Sequence, residues 1–134
     1  MVTPCQLLVD PPLDAAWNMG YDEYLLHLAA DAGVATLRFY AWTPATLSLG
    51  YFQSHADREL HAASRAAPLV RRASGGGAIL HDHELTYSVF LPPGHPLARD
   101  TEPLYFAVHR ALIEVFHELL GVTPGEFQLC DQAI

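Results

Sequence analysis

From Ala35 to Trp42 apolar and polar positions alternate, with Leu37, Phe39 and Ala41 on one side and Thr36, Arg38, Tyr40 and Trp42 on the other. That is the period of a β-strand, and Thr43-Pro44 ends it. Thr46 to Tyr51 reads as a second short strand. Pro68 to Arg72 and Ala78 to Asp82 are two more, on either side of a triple glycine, and Leu85 to Leu91 is another, rich in Thr, Tyr, Val and Phe. Three neighbouring strands predict a mostly antiparallel sheet. Elsewhere the period is helical. Asp14 is placed to cap a helix running to about Ala30, with Asp31-Ala32-Gly33 as its stop. Ser54 to Ala66 predicts a short helix. The strongest signal comes last: Thr101 as cap, Glu102 and Pro103 in a first turn, then apolar residues at helical spacing from Leu104 through Ala107, Ala111 and Val115 to Leu119, and Gly121 as terminator. Helices alternating with groups of strands predict an α+β fold, a mixed, mostly antiparallel sheet with helices packed on it.

Composition narrows the picture. The chain has 134 residues, the size of one domain, and reads as a single unit; 51% of it is hydrophobic and 16% charged, which excludes a disordered chain. No apolar run approaches the ~20 residues of a membrane helix, and Met1-Val2-Thr3-Pro4-Cys5 lacks signal-peptide features, so a cytoplasmic location without membrane association is the default expectation. A net charge of −8 argues against nucleic acid as a partner. All seven basic residues are arginines, so no mechanism can draw a lysine from these residues. Cys5 and Cys130 show no CxxC pairing and are expected as free thiols.

Chemistry concentrates in Arg71-Arg72-Ala73-Ser74-Gly75-Gly76-Gly77-Ala78-Ile79-Leu80-His81. Adjacent glycines are costly in backbone entropy, which favours positive φ angles or a ligand lying against the backbone. The run lacks the ending of a P-loop and precedes a strand, so neither Walker nor Rossmann binding fits. Arg71 and Arg72 would offer forked donors to a phosphate that the glycine amides cradle; the alternative is a hairpin with solvated arginines. His81 and His83 could share a strand face, but no third metal ligand is fixed by the spacing, so no metal site is expected. Cys130 could be a nucleophile or a small buried hydrophobe.

The run from Arg71 to Asp82, with Glu84-Leu85-Thr86-Tyr87-Ser88 after it, resembles the signature of the lipoate–protein ligase A family and its octanoyltransferase relatives. Asn18-Met19-Gly20-Tyr21-Asp22-Glu23 resembles the family's first helix, and Leu37 to Trp42 with Leu47 to Gln53 its next strands. The resemblance covers residues from about 14 to 120 and implies the catalytic domain shared by biotin and lipoate ligases. The implied activity attaches a lipoyl or octanoyl group to a lysine of a lipoyl-domain protein or a glycine-cleavage H protein. In the ligase, carboxylate and ATP, with Mg, give an acyl-adenylate. Carried over, Arg72 and Gly77 to Leu80 would contact the nucleotide or adenylate, with Ser74 and His81 lining the pocket. Arg71, Gly75 and Gly76 complete the candidate ATP- and acyl-adenylate-binding set, with ATP and lipoate or octanoate as substrates and no tightly bound cofactor.

Two family features bear on mechanism. The ligases' essential lysine lies beyond the long helix, in a segment without a counterpart here. Octanoyltransferase relatives carry the acyl group on a cysteine in the same region, with an acyl carrier protein as donor. Cys130 lies roughly there, although Asp131 replaces the family's phenylalanine. The expectation is therefore that residues 1–134 form the N-terminal part of such a domain. Ligation through an acyl-adenylate is the first reading; octanoyl transfer through a Cys130 thioester, or binding without catalysis, is the alternative.

Overall fold

A computed structural model describes residues 3–121. Helix α1, Ala15–Ala32, begins where the Asp14 carboxylate accepts from the Trp17 amide at 2.9 Å, and ends at Gly33 with φ +70°, the left-handed turn a glycine adopts without strain. Among the described residues there are six strands: β1 Cys5–Val9, β2 Ala35–Tyr40, β3 Thr46–Leu49, β4 Leu69–Arg71, β5 Ile79–His81 and β6 Thr86–Phe90. They form two three-stranded sheets, ordered β1-β2-β6 and β4-β3-β5. Each sheet has one parallel and one antiparallel pair. The α+β class with mixed sheets is as expected, but antiparallel pairing does not dominate. β4 and β5 do not join in a hairpin; β3 lies between them, parallel to β4 and antiparallel to β5.

α1 packs on β2, β6 and β4. Leu25, Ala29 and Phe90 form a buried cluster, with Leu8, Tyr21 and Leu28 packed around it. On β2 the buried side is the polar and aromatic one, carrying Thr36, Arg38 and Tyr40. The predicted helix over Ser54 to Ala66 is instead two 3-10 turns, His55–Leu60 and Ala62–Ser64, because His61 between them is extended at φ −125°, ψ 101°. The described residues from Pro93 onward form a separate compact unit. It holds α2, Thr101–Leu120, which Gly121 ends at φ +62°. Its cap is Asp100, not Thr101: Asp100 is extended and its carboxylate accepts from the Glu102 amide, leaving Thr101 inside the first turn. Among the described residues no helix is long and apolar enough to cross a membrane.

Candidate functional site

The β4-β3-β5 sheet brings the glycine run back across the end of β3. Arg72 is the first residue beyond β4, and its amide donates to the Leu49 carbonyl at 2.9 Å, continuing the ladder. The chain then arches over Gly50 and enters β5. At Gly50 the approach is so close that a Cβ would stand 2.0 Å from the Gly76 carbonyl oxygen. Gly76 takes φ +88°, which an L side chain rarely adopts. Two glycines from distant parts of the sequence are therefore required for one backbone crossing.

Both arginines fasten this crossing. Arg71 Nη1 donates to the carbonyls of Gly50, Tyr51 and Gln53 at 2.9, 3.0 and 2.7 Å. Arg72 Nη2 donates to the Gly75 and Gly77 carbonyls at 3.0 and 2.8 Å, while Nη1 reaches the Ser48 carbonyl and hydroxyl at 3.1 and 2.6 Å. Ser74 takes part through its carbonyl, which accepts from the Tyr51 amide at 2.9 Å. The alternative of a hairpin with solvated arginines is thus overturned: the strands flanking the loop are not paired to each other, and the guanidinium groups bond backbone. A trans peptide sets each carbonyl opposite the following amide. With the Gly75 and Gly77 carbonyls turned to Arg72, the Gly76 and Ala78 N–H groups point away from it. The loop from Ala73 to Leu80 is exposed, Ile79 and Leu80 included.

His81, at the end of β5, is 4% exposed and stacks on Trp42 with ring centroids 4.2 Å apart. Its Nε2 lies 2.7 Å from Ser48 Oγ and its Nδ1 is bonded to the Glu84 carboxylate. Burial holds the imidazole below its ordinary pKa of 6.5; the Glu84 carboxylate opposes the shift and the Arg72 charge adds to it. Glu84 lies below its ordinary value of 4.5: burial would raise it, but the Asp82 amide and His81 outweigh that. Trp42 is fixed in turn, its Nε1 donating to Thr86 Oγ1 at 2.8 Å.

The predicted residues from Arg71 to His81 therefore meet in one place. Ser48, Gly50, Trp42 and Glu84 belong with them, although the sequence assigned them no role; the sheet order that puts β3 between β4 and β5 is what joins them. His83 does not share His81's setting. It lies beyond β5 with its side chain 96% exposed, and both ring nitrogens of His81 already have protein partners. Among the described residues no group of three His, Cys, Asp or Glu side chains could hold a metal ion. Cys130 lies outside the described residues. An open apolar depression of about 440 Å³ lies on α1, lined by Ala16, Trp17, Gly20, Tyr21 and Tyr24, none of them in the predicted set.

Residues 14–127 match the lipoyl protein ligase A/B catalytic domain. The chain is 41% identical over 117 residues to octanoyltransferase LipM of Brevibacillus brevis, covering 84% of this chain and 42% of that protein. It is 44% identical over 110 residues to the LipM of Moorella thermoacetica, covering 79% and 40%. It thus spans about two-fifths of these curated relatives. A Thermoplasma acidophilum protein assigned as a lipoate protein ligase, solved with lipoic acid bound, superposes with a TM-score of 0.72 at 25% identity, over 98% of this chain and 54% of that one. The bi-partite lipoate protein ligase of the same organism, described with its E2 lipoyl domain, superposes at 0.59 with 26% identity, over 91% and 48%.

Proposed function

The chain belongs to the lipoyl protein ligase A/B catalytic domain family, and on that premise we propose that it serves octanoyl transfer from an acyl carrier protein to a lysine of a lipoyl-domain protein. The observation that carries this reading is its identity of 41–44% to octanoyltransferases from two genera. The loop chemistry agrees with it. In acyl transfer, negative charge develops on a carbonyl oxygen, and donors fixed in advance stabilise it most. The Gly76 and Ala78 amides, turned outward because Arg72 holds the carbonyls opposite them, are such donors. The exposed Ile79 and Leu80 beside them suit an alkyl chain.

Cys130 is the proposed acyl carrier. Its thiolate attacks the carrier-protein thioester, forming a Cys130 thioester and releasing the carrier sulfur as a thiolate. The acceptor's lysine amine then attacks that thioester, forming the amide, freeing the cysteine sulfur and giving up its proton. A glycine-cleavage H protein is a second possible acceptor, and the reaction runs in the cytoplasm.

The second reading, ligation with lipoate, ATP and Mg, is favoured by the ligase neighbours and by the Ser74 to Gly77 run, with Arg72 and the loop amides at the adenylate. One experiment separates the two. The chain is incubated with an unmodified lipoyl domain and either octanoyl carrier protein alone or free lipoate with and without ATP and Mg, and the chain and the lipoyl domain are weighed by mass spectrometry. One octanoyl unit on the chain without ATP, absent in Cys130→Ser, supports the thioester route. Modification that requires ATP and free lipoate supports ligation. Survival of the adduct in Cys130→Ser removes Cys130 from the mechanism.

A further inference from the structure

Behind the glycine loop, four side chains form an unbroken hydrogen-bonded line from the turn after β5, across β5 and β3, to the end of β4: Glu84, His81, Ser48 and Arg72. Ser48 faces Ile79 in the ladder, so His81 is its diagonal neighbour on the same face. Arg72 arrives from the β4 side.

The proton positions follow by elimination. Arg72 can only donate, so Ser48 Oγ accepts from Nη1. An ionised carboxylate can only accept, so His81 Nδ1 carries the ring proton and donates it to Glu84. In the neutral imidazole Nε2 is then the acceptor, and the Ser48 hydroxyl hydrogen is the one left to fill it. The second Glu84 oxygen is held by the Asp82 amide at 2.8 Å, and the imidazole plane is held by Trp42. Ser48 is fully buried, so no water competes for its hydroxyl. Its burial, and its bond to a guanidinium that draws on an oxygen lone pair, make it a poor nucleophile despite the Ser-His-Glu order.

We propose that Glu84, His81 and Ser48 are positioning residues for the glycine loop. Glu84 selects the His81 tautomer and His81 orients the Ser48 hydroxyl. Ser48, through its hydroxyl and its own carbonyl, aims Arg72 at the Gly75 and Gly77 carbonyls. The amides on the far side of those peptides are thereby held in place by a carboxylate at the opposite edge of the sheet. The substrate those amides meet rests on the function proposed above; the coupling itself does not.

The test is solution NMR of the full chain, uniformly ¹⁵N-labelled, beside Glu84→Gln and Ser48→Ala. Histidine ring nitrogen shifts report the tautomer, and the Gly75, Gly76 and Gly77 amides report the loop. Among the described residues Glu84 bonds His81, Asp82 and Thr86 and none of the glycines. Even so, Glu84→Gln is expected to mix the His81 tautomers and displace the three loop glycines well beyond Gly33, which serves as reference. Ser48→Ala is expected to displace the loop glycines while leaving His81 as the Nδ1–H tautomer. Because Glu84 is partly exposed, its variant keeps the fold even if the buried Ser48 variant does not. An Nε2–H tautomer in the unmodified chain overturns the proposal, and so do loop glycines that stay in place in Glu84→Gln. If the coupling is present but no acyl transfer occurs, the functional reading fails and the relay stands; transfer without the coupling means the reverse.

Discussion

Arg38 and Arg72 are both engaged by several partners, yet they do opposite things for the molecule. Arg38 is fully buried and its partners come from α1 and from the end of β1. Nε bonds Asp10 at 2.7 Å, Nη1 bonds Asp22 at 2.7 Å and the Asn18 carbonyl at 3.1 Å, and Nη2 bonds the Asn18 side chain at 2.9 Å. The guanidinium also lies over the Tyr21 and Tyr40 rings, 4.8 and 4.0 Å from their centroids. Asp22 receives further hydrogen bonds from Tyr40 and Ser88, so one ion cluster ties α1 to β2 and β6. Burial, and then the Asp22 charge, push the Tyr40 phenol well above its usual range, which keeps it a donor. Arg72 instead bonds backbone carbonyls and a serine at the sheet end, and what it organises is an exposed loop. Charge spent inside the scaffold fixes the fold, whereas charge spent on loop carbonyls shapes a surface that can meet a ligand.

Removing each guanidinium tests that division, with the largest effect at Arg38. Arg38→Met leaves two carboxylates without their counter-charge, and breaking such a pair costs about 3–5 kcal/mol. Urea denaturation should show the chain mostly unfolded or severely destabilised. Arg38→Lys should not restore it, because one ammonium cannot match the planar fork that meets Asp10, Asp22 and Asn18 together. Arg72→Met should cost only about 1–3 kcal/mol while displacing the loop glycines in NMR spectra. Equal losses at the two positions would erase the distinction.

The next effect sharpens the comparison at the loop alone. In Gly50→Ala the new methyl would stand 2.0 Å from the Gly76 carbonyl oxygen and 2.9 Å from its carbon, both backbone atoms, so the loop must lift off β3. Overpacking of this kind costs about 1–3 kcal/mol. The expected signature in ¹H–¹⁵N spectra is displacement of Gly75 to Gly77 with the Arg38 cluster untouched. Shifts spread evenly over α1 and β2 would mean that the loop is not a separable unit.

How legible each region was follows from the range of the interactions that build it. The α1 cap at Asp14, the stop at Gly33 and the α2 periodicity are local, and the sequence placed them within a residue or two. β1 was missed because Cys5 to Val9 is a mostly exposed edge strand with no alternation, and its parallel partner β2 comes only after the whole of α1. The alternation of β2 was read correctly, but nothing local says that its arginine-bearing side faces inward; the clue is Asn18 and Asp22 one helical turn apart, which signifies only once Arg38 is known to face them. The glycine run announced itself as a special backbone, and the resemblance supplied its chemistry. Gly50, Ser48 and Glu84 lay inside the segments that carry the resemblance but had no role assigned, because each acquires its role from the β4-β3-β5 order, a non-local pairing that the expected antiparallel neighbours would not have produced.

The smallest effect separates the two regions by pH. The Arg72 side contains a histidine whose folded pKa lies below its unfolded value near 6.5. The native state therefore binds fewer protons than the unfolded chain as pH falls past that point, and stability declines from about pH 6.5 down to the folded pKa, below which the loss is complete. Glu84, also depressed, adds a second decline, beginning near 4.5 and ending at its own folded value. Thermal unfolding in steps from pH 7.5 to 4 should show the midpoint falling by a few degrees in the upper window. In His81→Gln that window should flatten, and the lower carboxylate window should narrow, because His81 is one of the groups that hold Glu84 below its ordinary value. Protonating His81 also puts a proton on Nε2, where it displaces the Ser48 hydroxyl hydrogen, so the loop glycines should titrate with His81 and the backbone amides around Arg38 should not. A uniform response of both regions would show that pH acts on the fold as a whole and not on the loop's support.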